Sequence, residues 1–331
     1  MASSPHRTDA VGWLLAAFLV AAACCAAIVL GAHHGTDEFP SAELTQSPVW
    51  LLVMIPSMTA ALAIMVWTAH RGDTRLALWM LACVFSVAVY WLAPAVGGSL
   101  VAAGATGTVT FAAAVVVGSA GWTVVLALQQ LTALTAAATV TGRVAPGTTR
   151  LAVVLALLPT LVTMLFPFPK ALVVYPGLTT LFPADVSQHP LPQAIATAVP
   201  YAWMASLLIA PTVLWTKALR AHGMQRRALV RFAIGAMLPA LVVALCGLLA
   251  ELDRAGGSAE VDGLAVGFSL ALPMTLGWLA ATVRDARAAS ARFTSIAAVV
   301  RILLWLLYVF LMVQFITPLA AVLGGGASAG A

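Results

Sequence analysis

Long apolar runs decide what this chain can fold into. Residues 11–31, 50–69, 76–96, 109–140, 151–168, 194–216, 232–250, 264–282 and 302–323 contain no Asp, Glu, Lys, Arg or His. A helix rises ~1.5 Å per residue and the hydrocarbon core of a bilayer is ~30 Å thick, so about 20 apolar residues cross it. The spacing predicts an all-α, polytopic integral membrane bundle of about nine transmembrane helices over residues 1–323. A disordered Gly/Ala/Ser tail is expected at 324–331. Composition agrees: 8% of residues are charged and 62% are hydrophobic, against roughly 25% charged in a soluble domain. So few charges cannot cover a water-exposed surface, and lipid is the expected solvent. The first run is too long for the core of a secretion signal, so it is read as a retained helix.

Arginine placement predicts the orientation. The stretch 217–231 carries Lys217, Arg220, Arg226, Arg227 and Arg231 and no acid. Read as a loop between two apolar runs, it belongs in the cytoplasm, because short Lys/Arg-rich loops resist translocation. A cytoplasmic N-terminus then places all 16 Lys and Arg inside except Lys170 and Arg254. All 11 acids fall outside except Asp9, Asp73 and Asp285. An odd number of spans puts the C-terminus outside. The expected location is a cell membrane, crossed many times. Its lipids are the first expected partners, with Lys217, Arg220, Arg226, Arg227 and Arg231 as candidate contacts for anionic headgroups.

Polar groups inside the runs are few. No ionisable residue sits near the middle of a predicted span, where a charge costs ~2.5–3.5 kcal/mol and is usually kept for a purpose. That argues against proton-coupled or electrogenic transport. The deepest polar side chains are Gln129, Gln130 and Gln314. They fit either hydrogen bonds between helices or the lining of a ligand pocket. Pro56, Pro159, Pro200, Pro211, Pro239, Pro273 and Pro318 lie in or near the runs, and each removes a backbone donor and can kink its helix.

Other function classes find little support. His33 and His34 with Asp37 and Glu38 have no ordinary zinc spacing and read as a solvated face. Cys24, Cys25, Cys83 and Cys246 fall in apolar runs without a Cys-x-x-Cys pair, as small buried hydrophobes do. The sequence has no hydrolase, phosphate-loop or dinucleotide motif, and no soluble stretch long enough for a catalytic domain. No catalysis, cofactor or metal is expected. The basic residues form no face for nucleic acid.

Three stretches carry a resemblance. They are Thr141-Gly142-Arg143-Val144-Ala145-Pro146, then Gln225-Arg226-Arg227-Ala228-Leu229-Val230-Arg231-Phe232, then Ala291-Arg292-Phe293-Thr294-Ser295-Ile296 with Val300-Arg301. Taken in order, they resemble loops in the membrane input region of actinobacterial nitrate-sensor-type histidine kinases. The chain departs from that pattern in lacking the acid before the Gly, the paired Asp residues and the Asn of the last stretch. The family's phosphoacceptor and ATP-binding domains are also missing. The resemblance implies a non-catalytic, sensor-like input domain that binds a ligand or a partner membrane protein, or assembles with its own copies. The alternative expectation is a transporter or permease component for a neutral or hydrophobic substrate.

Overall fold

The computed structural model describes residues 12–23, 26, 48–142, 190–254 and 261–288, with isolated helical positions between 147 and 162. Every regular element among the described residues is an α-helix. These are α1 (Gly12–Ala23), α2 (Pro48–His70), α3 (Thr74–Ala102) and α4 (Val109–Thr141). After them come α5 (Pro190–Ser206), α6 (Ile209–Arg220), α7 (Gly223–Arg254) and α8 (Val261–Arg287). Three stretches are long and apolar enough to cross a membrane: Thr74–Ala102, Gly121–Thr141 and Thr197–Arg220. The predicted span at 302–323, most of that at 151–168 and the tail at 324–331 lie outside the described residues.

The helices outrun the apolar stretches that announced them. Hydropathy reports how much of a helix sits in hydrocarbon, whereas backbone hydrogen bonding continues until a cap ends it. The uncharged stretch at 97–107 begins inside α3, where Gly97 and Gly98 are buried and helical. The helix stops at Ala102, and a short turn leads to Thr108. There the hydroxyl accepts from the Phe111 N–H at 3.2 Å and caps α4. Gly142 closes α4 in the left-handed region (φ 73°), its N–H returning to the Ala138 carbonyl at 2.8 Å.

The expected basic loop at 217–231 is corrected by the same logic. Lys217 and Arg220 form the last turn of α6, and Arg226, Arg227 and Arg231 lie within α7. Only Ala221 and His222 separate the two helices, and Gly223 opens α7 at φ 57°. Arginine and alanine are good helix formers, so a polar stretch here need not be a loop. Helices enter the acidic stretch at 251–262 from both sides: α7 runs to Arg254, and α8 begins at Val261.

Packing rests on small residues. Ala61, Ala77, Ala133, Ala136, Ala210 and Ala236 are fully buried. Lipid is as apolar as leucine, so helices associate through close van der Waals fit rather than through exclusion of water. α3 and α4 form the most extensive pair, α8 packs on α2, α7 and α4, and α7 also packs on α6 and α4. Gly121 lets α4 approach α3 so closely that a Cβ there would lie 3.1 Å from Tyr90 Cδ2. Large apolar side chains such as Phe18, Phe85 and Trp215 point outward, as a lipid-facing surface requires. Pro56, Pro94, Pro239 and Pro273 lie inside helices that continue past them.

Candidate functional site

Among the described residues, one long apolar stretch breaks, Thr197–Arg220. Its helix stops at Ser206 and restarts at Ile209, with Leu207 and Leu208 in a turn. The cause is local. Pro211 has no N–H, so the Leu207 carbonyl loses the donor that a continuous helix would supply four residues on. Leu207 and Ser206 are 3% and 1% exposed, so water does not replace it. A buried carbonyl without a partner costs ~1–3 kcal/mol.

Gln130 of α4 supplies the missing partner. With its amide nitrogen turned to the break, it donates to the carbonyls of Leu207 and Ser206, both at 3.2 Å. This orientation satisfies both carbonyls. The opposite rotamer places Oε1 3.4 Å from the Ala210 N–H, and beside the same two carbonyl oxygens. Thus one amide from a neighbouring helix braces the two half-helices. The sequence reading offered Gln130 as a helix-to-helix hydrogen bond or as a pocket residue, and the first is present.

Gln129, the preceding residue, is different. It is 2% exposed, and its amide oxygen has no hydrogen-bond partner. Three other buried polar atoms share that condition: Ser57 Oγ, Thr275 Oγ1 and Trp203 Nε1. Ser57, Gln129 and Thr275 lie 13, 12 and 12 residues before the last residues of their helices, roughly 18–20 Å at ~1.5 Å per residue. Unsatisfied groups are few in native proteins, and each asks for an explanation. One turn beyond the break, Trp203 meets Trp122 edge to face at 4.5 Å and packs with Leu126 and Leu207. At the opposite side of α4, Thr132 donates to the Leu128 carbonyl at 2.7 Å, which leaves its oxygen to accept from Cys83 Sγ at 3.3 Å. Gln314 lies outside the described residues, as do His33 and His34.

No family model, curated protein or solved structure matches this chain. Among the described residues, no group of three or more His, Cys, Asp or Glu could hold a metal ion.

The basic end forms a second cluster. Arg220, Arg226 and Arg227 are exposed, whereas Lys217 and Arg231 are half-buried. Arg231 is engaged: its Nη1 donates to Asp285 Oδ2 at 2.9 Å, and its carbonyl accepts from Trp278 Nε1 at 2.8 Å. Arg71 and Arg284 each lie over the Trp67 ring, at 5.5 and 5.7 Å, a contact worth ~0.5–1 kcal/mol where exposed. Asp73 and Asp285 do not stand out as site residues in the sequence, because their partners Arg287 and Arg231 sit on other helices. Of the five basic candidates, Arg220, Arg226 and Arg227 are the ones presented outward.

Proposed function

We propose that this chain is a non-catalytic, sensor-like domain of a cell membrane, with about nine spans, a cytoplasmic N-terminus and an external C-terminus. Its input lies at the level of Gln129 and Gln130, where a ligand or a partner membrane protein is felt. Its output is the basic end of α6 and α7. The observation that carries this reading is the Gln130 amide at the broken helix. A ligand that competes for that amide, or for the two carbonyls it holds, frees α6 to move. α6 has 12 residues, about 18 Å at 1.5 Å per residue. The two-residue link then passes any displacement to Arg226 and Arg227. Their exposed guanidinium groups suit anionic headgroups, at up to ~1 kcal/mol each near the surface. The ordered resemblance to kinase input regions supports the same reading.

The test is mechanical coupling. Pro211→Ala restores a backbone donor and closes the break. In a chain with a single reactive Cys at position 226, this change shifts the rate of maleimide labelling severalfold. An unchanged rate removes the coupling and the sensor reading with it.

One observation favours a second reading, a carrier for a neutral solute. Discontinuous membrane helices frame substrate sites in many transporters. Purified protein in liposomes, challenged with neutral and hydrophobic solutes, separates the two. A sensor moves none of them; saturable uptake of any one makes the chain a carrier.

A further inference from the structure

Two arginines share one indole at the basic end of the bundle. The Arg71 guanidinium carbon lies 5.5 Å from the centre of the Trp67 ring, and that of Arg284 lies 5.7 Å from it. The three residues come from different places in the chain. Trp67 belongs to α2, Arg71 to the turn that follows it, and Arg284 to the last turn of α8, which packs on α2. Like charges gathered at one ring raise the local positive potential. Among the described residues, the carboxylates at this end are Asp73 and Asp285, and they bind two other arginines, Arg287 and Arg231. Arg71 is exposed, and Trp67 and Arg284 are half-buried. The fold thus gathers the two cations over an aromatic ring and leaves them within reach of an incoming anion.

We propose that Trp67, Arg71 and Arg284 bind one anionic phospholipid, its phosphate at the two guanidinium groups and an acyl chain along α2. Charge complementarity is the first argument. Guanidinium groups hold phosphate by charge-assisted hydrogen bonds, and basic pockets between membrane helices take anionic headgroups. The ring is the second. Trp favours the boundary between hydrocarbon and headgroups, and Trp67 stands one turn before Arg71. The third is the surface that leads to the ring. Pro56, Ala60 and Ala63 fall 11, 7 and 4 residues before Trp67, a spacing that puts all four on one face of α2. Those three are exposed, and their short apolar side chains let a hydrocarbon chain lie close to the helix. A soluble anion would use the arginines and leave this strip bare, whereas a phospholipid uses both. The site is distinct from the outward-facing Arg220, Arg226 and Arg227, which lie on α6 and α7. It rests on the membrane reading above and on no part of the sensor reading.

The experiment uses the full chain in nanodiscs of phosphatidylcholine with rising fractions of phosphatidylglycerol. Native mass spectrometry counts the lipids that stay on the released protein. The expected result is saturable retention of one phosphatidylglycerol per chain. Arg71→Gln lowers the apparent affinity about fivefold, the effect of one arginine near an anionic surface. Trp67→Leu leaves every charge in place yet lowers it by a similar factor, because the ring no longer gathers the guanidinium groups. Trp67→Phe, which keeps an aromatic face, recovers most of the affinity. Arg71 is exposed at a helix end, so Arg71→Gln keeps the fold even where Trp67→Leu does not. Unchanged retention in Arg71→Gln overturns the proposal, and so does unchanged retention in Trp67→Leu, since the lipid then answers net charge alone. Displacement of the lipid by millimolar inorganic phosphate also overturns it, by marking a site for soluble anions. A chain that stays outside the discs overturns the membrane reading and the site together. One that enters them without preferring phosphatidylglycerol overturns the site alone.

Discussion

Arg287 and Asp73 are joined by two parallel contacts, Nη1 to Oδ2 at 2.8 Å and Nη2 to Oδ1 at 2.6 Å. They tie the last turn of α8 to the turn between α2 and α3. Asp73 stands at the N-cap of α3, where a carboxylate usually accepts from its own helix, yet it makes no such cap bond. Its oxygens go to Arg287 instead. The Arg287 side chain is 48% exposed and that of Asp73 is 10% exposed, so solvent screens the pair and its net worth is about 0.2–1 kcal/mol. Asp73→Asn lowers the thermal midpoint slightly, and the loss shrinks in high salt. Arg287→Lys against native Asp73 lowers it too, because an ammonium cannot match both oxygens. A double-mutant cycle at two salt concentrations checks this.

Adjacent glutamines give opposite outcomes. Gln130→Leu leaves the Ser206 and Leu207 carbonyls without a donor and costs about 1–3 kcal/mol. Gln129→Leu removes an amide oxygen that has no partner, so it is neutral or stabilising. Thermal unfolding of the two variants in one detergent provides the comparison. Equal losses contradict the assignment of the brace to Gln130.

Position 235 tests the closeness of α7 and α8. A Cβ at Gly235 would lie 2.9 Å from Trp278 Cδ1 and 3.0 Å from Leu279 Cδ2. The indole is held by its bond to the Arg231 carbonyl at 2.8 Å, so it does not swing aside freely. Gly235→Ala therefore destabilises by about 1–3 kcal/mol through overpacking. Trp278→Phe in the same chain removes the anchor of the ring and recovers part of the loss. Calorimetric or fluorescence melts of the single and double variants measure it.

The sequence reading was strongest where apolarity and helix end together. The run at 109–140 coincides with α4 almost residue for residue, because a Thr cap and a Gly cap flank it. Gln129 and Gln130 stood out for the same reason, as amides inside an unbroken apolar run. In the arginine stretch charge suggests a loop, but helix continues through it. Lys217 and Arg220 in fact extend α6 beyond its apolar part, and Arg226 and Arg227 start α7. Pro211 was marked as a source of a kink, but so were Pro56, Pro239 and Pro273, whose helices run on. What distinguishes Pro211 is that an amide from another helix reaches the carbonyls at the break. That amide, on Gln130, lies 81 residues before Pro211 in the chain. The pairs Arg231–Asp285 and Arg287–Asp73 were hidden in the same way, since each joins residues far apart in sequence.

Membrane sidedness is the claim that the rest of the account depends on. The four native cysteines are replaced, Arg226→Cys is introduced, and a membrane-impermeant maleimide is applied to intact cells and to inverted vesicles. The account predicts labelling in inverted vesicles only, with Arg220 and Arg227 on the cytoplasmic face beside it. Labelling in intact cells would reverse every helix and contradict the account.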